Sequence, residues 1–353
     1  MTLKSRITEK VIHAAVISLF FTITLLYSFL SGAQDLDPAL AVQVKNAGAP
    51  INYDSRANLS AKAVALNDLI NSPFAELKPA TTPNGNRLYF SRSQHPANTS
   101  GIADQEDIWY SEFNAATSTW SEPIRMPGML NNDGPNFINN VSTSGDTIIL
   151  GNQYTKKGKM RAGLSYSVNL NGQWTAPKPI HIQNDYNMSN HANAFVNLKS
   201  GVIISAIERA ESVGERDLYV SFWNGTDASE PINMGSVINT PFEESSPYLA
   251  ADNKTLYFAS KGHNGFGGFD IYVTRRLDNS WTNWSTPQNL GPAVNGALDD
   301  EFFTMTHCGK YAIFSKQVSV HNVDLFKIET KELFSGTEQP VKQVRTQSAF
   351  AGL

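Results

Sequence analysis

Cysteine is nearly absent from this sequence, which has only Cys308 in 353 residues. A chain with one thiol forms no internal disulfide, and this excludes the small disulfide-stabilised folds of exported proteins. The apolar share of 41% is large enough to build a substantial core. We therefore expect packing alone to stabilise the fold.

The sequence also has no excess of basic residues, since 28 Lys and Arg face 32 Asp and Glu, a formal charge of −4. A nucleic-acid-binding protein must neutralise phosphates, so we expect no nucleic acid partner. A nucleophile elbow, a metal signature and a cofactor fingerprint are likewise absent. The glycine cluster from Gly262 to Gly268 precedes a strand-like run and not a helix start, which argues against a phosphate-binding loop.

The N-terminal 33 residues form a segment of their own. Lys4, Arg6 and Lys10 precede an uncharged run over residues 11–30, and small residues follow up to Ala33. This order is typical of a secretory signal peptide, with cleavage expected after Ala33. The run is also long enough to span a membrane, so an uncleaved anchor is the alternative. We expect an exported protein, periplasmic or secreted, with membrane contact only through this segment if it is retained.

The remainder of the chain is repetitive. Residues 70–92 (INSPFAELKPATTPNGNRLYFSR) match residues 238–260 (INTPFEESSPYLAADNKTLYFAS) and residues 294–316 (VNGALDDEFFTMTHCGKYAIFSK) without a gap. Two weaker copies lie between them, and the copies recur every 54 to 60 residues. Such a period is close to that of propeller blades.

Each copy predicts four short strands, because β-branched and aromatic runs alternate with Asn-Gly, Ser-Gly and Asp-Asn turns. The sequence thus predicts an all-β protein: a β-propeller of four-stranded blades over residues 70–330, with five blades and six as the alternative. Residues 34–69 are then an N-terminal extension, and residues 331–353 a C-terminal tail. The fifth copy lacks its last strand, and either residues 49–55 or residues 339–346 would complete it. We favour the N-terminal segment.

The wording GGFDIY…WSTPQNLG…VN…E over residues 267–301 resembles the WD40-like β-propeller repeats of the TolB type. The resemblance covers residues 70–330 and is sharpest in copies one, four and five. It implies a propeller fold and an exported setting, but no single activity, since this scaffold carries many functions.

One position of the repeat is polar in every copy. Alignment of the copies places there Glu76, Asn136, Asn190, Glu244 and Asp300. Each precedes the inner strand of its blade, so we predict a ligand-binding ring at one mouth of the central channel. The alternative is that these side chains stabilise turns of the repeat.

Three histidines lie in the loop between the second and third strands of copies one, four and five: His95, His263 and His321. Together with Glu244 and Asp300 they are candidate ligands of a divalent metal, since carboxylates and imidazoles both bind such ions. The sequence otherwise indicates no cofactor. The alternative is that these histidines lie in solvated loops.

Two further sets of residues are predicted to be structural. Asp107, Asp217, Asp270 and Asp324 start third strands and are expected to accept hydrogen bonds from nearby backbone amides. Trp120, Trp174, Trp281 and Trp284 lie on the outer-strand motif and are expected to pack between blades.

Two functions follow from these patterns. The first is a non-catalytic exported propeller that binds a protein or a glycan of the cell envelope. The second is a carbohydrate-active enzyme, a hydrolase or lyase, with carboxylates at the channel mouth. Asn136 and Asn190 stand where a five-bladed glycosidase of the arabinanase type would need acids, so we favour the binding function.

Overall fold

The computed structural model of the protein describes residues 50–126, 128–155 and 159–336. These residues form five antiparallel sheets that follow one another round a ring. Each inner strand contacts the inner strand of the next sheet, and the fifth contacts the first. The protein is a five-bladed β-propeller, which confirms the predicted fold class and shows that the six-bladed alternative is wrong.

The strands are numbered along the chain from β1 (Val64–Ala65), and blades 1 to 5 follow the five copies of the repeat. Blade 1 contains β2 (Ala75–Thr81), β3 (Arg87–Ser93), β4 (Asp107–Asn114), β5 (Thr119–Trp120) and β6 (Ile124–Arg125). Blade 2 contains β7 (Ile138–Val141), β8 (Thr147–Tyr154), β9 (Met160–Leu170), β10 (Gln173–Trp174) and β11 (Lys178–Ile182).

Blade 3 contains β12 (Asn193–Asn197), β13 (Val202–Ile207), β14 (Asp217–Phe222) and β16 (Ile232–Asn233), while β15 (Asp227–Ala228) pairs in parallel with β11 of blade 2. Blade 4 contains β17 (Glu244–Leu249), β18 (Thr255–Ser260), β19 (Asp270–Arg275) and β20 (Gln288–Asn289). Blade 5 contains β21 (Asp300–Met305), β22 (Tyr311–Ser319) and β23 (Asn322–Glu329). The described helices are short: α1 (Thr330–Leu333) and two 3₁₀ turns, Gly101–Ala103 and Gly128–Leu130.

The first hairpin of each blade turns where the sequence places its turn residues. Gly85, between β2 and β3, has a φ of 71°, and Asn253, between β17 and β18, has a φ of 57°. Both lie in the left-handed region, which glycine and asparagine adopt at the least cost. These turns fix the register of the inner strand against the second strand of its blade.

Packing between blades supplies the core. Trp281 and Trp284 of blade 4 lie in one buried cluster with Leu218 and Val220 of blade 3. Trp174 packs in the same way at the interface of blades 1 and 2, and Trp120 at the interface of blades 5 and 1. The predicted role of the outer-strand tryptophans is confirmed. A single blade would expose both of its apolar faces, so neighbouring blades stabilise one another.

The missing strand of blade 5 comes from the N-terminal side, but not from residues 49–55. In β1, Val64 pairs with Lys327 and Ala65 with Phe326 of β23. Tyr53 instead pairs in parallel with Asn289, on the outer edge of blade 4. The prediction that residues 49–55 complete blade 5 was therefore wrong, since they lie on the outer edge of the neighbouring blade 4. Both edges are covered by short segments of the N-terminal extension, and such short strands have little sequence signal that could tell them apart.

Several predictions concern residues outside the described ones. They include the signal segment over residues 1–33 and the second candidate closing strand over residues 339–346. Within residues 50–126, 128–155 and 159–336, none of the helices has the length and apolar character that a membrane crossing requires.

Candidate functional site

The polar position at the start of the inner strands forms a turn lock, which we define as a side chain that accepts hydrogen bonds from the residue four positions earlier. Glu244 is fully buried. Its Oε2 accepts a hydrogen bond from the backbone N–H of Thr240 at 2.9 Å, and its Oε1 accepts bonds from the hydroxyls of Thr240 and Ser260, each at 2.8 Å. The side chain thereby fixes the loop that leads into blade 4.

The same lock recurs in three other blades. Glu76 accepts from the backbone N–H of Ser72 at 3.0 Å, Asn136 from that of Asn132 at 2.7 Å, and Asp300 from that of Gly296 at 2.5 Å. All are buried, and none of them lines the channel cavity described below. Their predicted role in ligand binding stays a prediction, but their geometry is that of the structural alternative.

Burial dominates the electrostatics of these locks. It raises the pKa of Glu244 to about 8 and those of Glu76 and Asp300 to about 7. In Glu76 and Asp300 a cation opposes this shift, since Arg92 lies 3.1 Å from Glu76 and Lys316 lies 2.9 Å from Asp300. Glu244 has no such ion pair among the described residues, and it has the highest pKa of the three.

Blade 3 departs from the predicted alignment. Asn190 is exposed and lies three residues before β12. The third strand of each blade sets the comparison. Asp217 pairs with Ile207 as Asp107 pairs with Arg92, so Ile207 matches Arg92 and Ala206 matches Ser91. Asn193, the partner of Ala206, therefore matches Leu77, and the residue before it, Ala192, stands at the position of Glu76, where an alanine forms no lock. Asn193 is buried and bonds to the next blade: its Oδ1 accepts from Ser246 N–H at 2.7 Å and its Nδ2 donates to the Ser245 hydroxyl at 3.0 Å. The assignment of Asn190 was wrong.

The three candidate histidines do not share a site with the carboxylates. The ring of His95 lies 5.0 Å from that of Phe74 and 5.1 Å from that of Trp109, and burial lowers its pKa. His263 Nε2 lies 2.8 Å from the carbonyl oxygen of Ile238, and His321 is exposed in the hairpin between β22 and β23. In the part of the chain that the structure describes, no group of three or more His, Cys, Asp or Glu is arranged to hold a metal ion. A bound divalent metal stays a prediction, but not with Glu244, Asp300, His95, His263 and His321 as one set of ligands.

The aspartates at the start of the third strands have the expected local role in three blades. Asp107 accepts from Thr99 N–H at 2.7 Å, Asp217 from Val213 N–H at 2.7 Å, and Asp270 from Phe266 N–H at 2.9 Å. These carboxylates stabilise the loop between the second and third strands.

The inner strands present a different set of side chains at their midpoint. In blades 1, 4 and 5 each inner strand has a β-bulge. The residue in the left-handed region is not glycine in any of them: Lys78 has a φ of 54°, Ser246 of 51° and Phe302 of 55°. Each costs about 1 kcal/mol relative to an ordinary conformation. Bulges redirect side chains, and retained strain of this kind is a pointer to function.

These three residues line a cavity of about 460 Å³ along the channel. The cavity also reaches the first-hairpin turns at Pro83, Thr143 and Asp252, so it opens on that face of the ring. It is of the size of small-molecule sites, about 300 to 1,000 Å³.

Aromatic rings from three blades form part of the cavity wall. The ring of Tyr248 lies 5.3 Å from that of Phe195 and 6.4 Å from that of Phe303. Burial raises the pKa of Tyr248 to about 12, so its hydroxyl stays protonated. This wall offers apolar surface with an occasional polar group, as small-molecule sites do.

Polar residues also line the cavity, among them Lys78 and Asn139. Lys78 forms an ion pair with both oxygens of Glu106 at 2.6 Å, and its ammonium lies 4.2 Å from the ring centre of Phe137 and 5.2 Å from that of Phe302. Asn139 accepts from Ala194 N–H at 3.1 Å, while its buried Nδ2 has no hydrogen-bond partner among the described residues. A buried donor without an acceptor is costly, so Asn139 marks a place where a bound oxygen would be stabilised.

The bulge residues Lys78, Ser246 and Phe302 were not predicted from the sequence, because the residue type at this position differs from blade to blade. The usable signal was the proline that follows the bulge in ELKPA and ESSPY, Pro79 and Pro247. A proline inside a strand indicates a bulge or an edge, and inner strands of a propeller next to a channel have room for bulges.

Comparison with known proteins gives no family. No protein-family model matches the chain, and no curated protein matches it. Among solved structures, the α-L-arabinofuranosidase of Podospora anserina is 14% identical, with 78% of this chain and 98% of that chain covered and a TM-score of 0.48. The α-L-arabinofuranosidase of Lactobacillus brevis is 14% identical, with 78% and 91% covered and a TM-score of 0.43.

The β-propeller domain of the Trilobed protease of Pyrococcus furiosus is 11% identical, with 72% of this chain and 69% of that chain covered and a TM-score of 0.36. Several of the matching structures are glycoside hydrolases, and another carries WD40 repeats. At such identities and TM-scores, these similarities carry no argument about the activity of this chain.

Proposed function

We propose that the protein binds a neutral oligosaccharide, or the end of a glycan, in its central channel. The observation that carries the proposal is the cavity of about 460 Å³ at the three strained bulge residues Lys78, Ser246 and Phe302. The function is binding and not turnover, in line with the first of the two functions that the sequence suggested.

The chemistry of the wall favours a sugar over other small ligands. Sugar rings have apolar C–H faces and hydroxyl edges. Phe302, Phe303 and Tyr248 offer aromatic surface to the faces, and the unpartnered Nδ2 of Asn139 offers a donor to a hydroxyl. Lys78 is already paired with Glu106, so the charge of its ammonium group at the middle of the cavity is balanced within the protein.

Two features of the sequence support a location in the cell envelope. The N-terminal segment has the order of a secretory signal, and the repeats resemble those of the TolB type. An exported protein of this kind meets envelope glycans directly, and we propose these as the source of its ligand.

The direct test is calorimetric titration of the protein with a panel of neutral oligosaccharides derived from envelope and plant polysaccharides. We expect at least one to bind, and the Phe302→Leu variant to lose at least about tenfold in affinity because it removes a ring from the cavity. Phe242→Leu is the matched control, since Phe242 is 60% exposed and does not line the cavity. Absence of binding across the panel, or equal binding by the two variants, would contradict the proposal.

A second candidate function is glycoside hydrolysis, and one observation favours it. Asp299 and Glu301 line a second cavity, and burial together with the charge of Asp299 raises the pKa of Glu301. A glycosidase needs two carboxyl groups, one of which acts as the acid, and a raised pKa suits that role. Release of reducing ends from any sugar of the panel, abolished by Glu301→Gln, would favour this second function over binding alone.

A further inference from the structure

A small polar cavity lies next to the inner strand of blade 5, apart from the channel cavity. Its volume is about 150 Å³, and it is lined by Leu77, Asp299, Glu301, Ser315, Gln317 and Val323. Asp299 and Glu301 flank the turn lock Asp300. Since side chains alternate along a strand, these two point to the face opposite Asp300.

The polar residues of this cavity form two consecutive rungs of one sheet. Glu301 is paired with Ser315 across β21 and β22, and Gln317 N–H donates to the carbonyl of Asp299 at 2.8 Å on the rung before. Residues two apart on each strand share a face, and directly opposite side chains lie about 5 Å apart at their Cβ atoms. Four oxygen-bearing side chains therefore converge on one small volume.

Both carboxylates have an oxygen to spare. Glu301 Oε1 accepts from the hydroxyls of Ser245 at 2.7 Å and Ser246 at 3.1 Å, and Asp299 Oδ1 accepts from Phe269 N–H at 2.8 Å. No hydrogen bond to the second oxygen of either group is found within residues 50–126, 128–155 and 159–336. The existing bonds orient the two carboxylates and leave one oxygen of each for another partner.

Ser315 is an independent sign that a partner is missing. The residue is 1% exposed, and its Oγ has no hydrogen-bond partner within the described ranges of the chain. A hydroxyl buried in a carboxylate-lined cavity without a partner is costly unless something binds it.

The neighbouring cations are engaged elsewhere. Lys316 lies 2.9 Å from Asp300 and 3.1 Å from the carbonyl of Val294, on the other face of the strand. Arg216 lies 3.0 Å from Glu243. Neither Asp299 nor Glu301 forms an ion pair with these cations or with any other within the described ranges of the chain.

We propose that this cavity is a Ca²⁺ site with Asp299, Glu301 and Ser315 as ligands and water filling the remaining positions. Calcium prefers carboxylate, hydroxyl and amide oxygens in a flexible arrangement of six to eight, whereas Mg²⁺ requires a near-ideal octahedron. Gln317 orients Asp299, because its Oε1 accepts from Asp299 N–H at 3.3 Å. The ion would tie the inner strand of blade 5 to Ser245 and Ser246 of blade 4 through Glu301.

The test is calorimetric titration of the chelator-treated protein with CaCl₂ and, separately, with MgCl₂. We expect one Ca²⁺ per chain, bound more tightly than Mg²⁺, with a dissociation constant of about 1 mM or lower. Glu301→Gln and Asp299→Asn should each weaken binding at least about tenfold. Far-ultraviolet circular dichroism shows whether each variant is folded, and either variant alone suffices for the test.

Ser315→Ala and Ser91→Ala form a matched pair. Ser91 occupies the equivalent rung of blade 1 and also has a buried Oγ without a partner, but it faces Leu77 and no carboxylate. We expect Ser315→Ala to weaken Ca²⁺ binding and Ser91→Ala to leave it unchanged.

Absence of Ca²⁺ binding up to about ten times the weakest expected dissociation constant would overturn the proposal. So would equal affinity in wild type and in the folded Glu301→Gln and Asp299→Asn variants, or equal effects of the two serine variants. None of these three outcomes depends on whether a sugar binds in the channel. The result also bears on hydrolysis, because a Ca²⁺ ligand must be ionised while the acid of a glycosidase must hold a proton.

Discussion

The start and the midpoint of each inner strand differ in what their side chains do. At the start, Glu76, Asn136, Glu244 and Asp300 are buried and repeat one pattern of hydrogen bonds to the residue four positions earlier. At the midpoint, Lys78, Ser246 and Phe302 have three different chemistries but the same strained backbone. In blades 1, 4 and 5 the two positions lie only two residue numbers apart in the chain.

The difference shows that a residue type repeated from blade to blade indicates a structural role in this propeller. A position that makes the same hydrogen bonds in four of the five blades solves a problem that those blades share, which here is the turn into the inner strand. A ligand in the channel meets each blade once, so its contacts need not repeat. The strained, non-repeating positions are therefore the better candidates for function.

Inner strands converge on one channel only while the ring is closed, and removal of the closing strand β1 should have the largest effect on the protein. A chain that begins at Ile70 lacks β1 and the pairing of Tyr53 with Asn289. We expect it to lose cooperative unfolding, or about 5 kcal/mol or more of unfolding free energy, relative to a chain that begins at Pro50. Thermal melts of the two chains measure this, and equal midpoints would contradict closure by β1.

The turn lock itself is tested by Glu244→Ala. The variant leaves the N–H and hydroxyl of Thr240 and the hydroxyl of Ser260 without their acceptor. We expect a loss of about 3 kcal/mol of unfolding free energy in urea titrations. Glu122→Ala, at an exposed residue, is the control and should change it by less than about 0.5 kcal/mol. A similar small loss in both variants would remove the structural role assigned to the lock.

The pH dependence of the free energy of unfolding also reports on the buried carboxyl group of Glu244. Burial raises the pKa of Glu244 to about 8, so the folded protein holds a proton that the unfolded chain releases from about pH 4.5 upward. The contribution of Glu244 to the free energy of unfolding is therefore highest at low pH. It falls as the pH rises to about 8, by at most about 1.4 kcal/mol per pH unit, and is constant above that pH. Glu76 and Asp300 act in the same direction up to about pH 7.

Urea titrations of wild type and Glu244→Gln between pH 5 and pH 9 isolate that contribution. The glutamine has no proton to lose, so the variant should show a shallower decline. Parallel curves for the two proteins would mean that Glu244 does not titrate in this range.

Blade 3, which has Ala192 at the lock position, gives the smallest effect and tests the contact that Asn193 makes with blade 4 instead. Asn193→Ala leaves the Ser246 N–H without its acceptor, and we expect a loss of about 1 to 2 kcal/mol. Asn190→Ala, at an exposed residue, should cost less than about 0.5 kcal/mol. Urea titrations that ranked the two variants in the opposite order would contradict the structural role of Asn193.

The fold was predictable because its signals are local and repeated. The strand runs of copies one, four and five, with turns such as Asn84-Gly85, indicate four strands per blade without knowledge of the tertiary structure. Asp107, Asp217 and Asp270 were likewise assigned correctly, since an Asp at the start of a strand bonds to amides only a few residues away.

The candidate sites were less predictable. They depend on which face of a strand each side chain points to, and on how far apart residues of different blades lie across the ring. The sequence drew attention to Asp300, but its neighbours Asp299 and Glu301 face the small cavity. In blade 3 the inner strand has no bulge, so it is one residue shorter between the first rung and the hairpin, and alignment by spacing failed at Asn190. The packing of the loops decides whether His95, His263 and His321 lie close together. An alignment of the repeats gives no information on that packing.

We propose that residues at the midpoint of the inner strands bind the ligand, while residues at the strand start only stabilise the fold. The most direct test of this proposal is the dissociation constant of the tightest oligosaccharide of the panel for wild type, Phe302→Leu and Glu244→Gln, each at a temperature where all three are folded. We expect Phe302→Leu to lose at least about tenfold in affinity for the oligosaccharide, and Glu244→Gln to bind it with near wild-type affinity. Full affinity in Phe302→Leu with loss in Glu244→Gln would contradict the proposal.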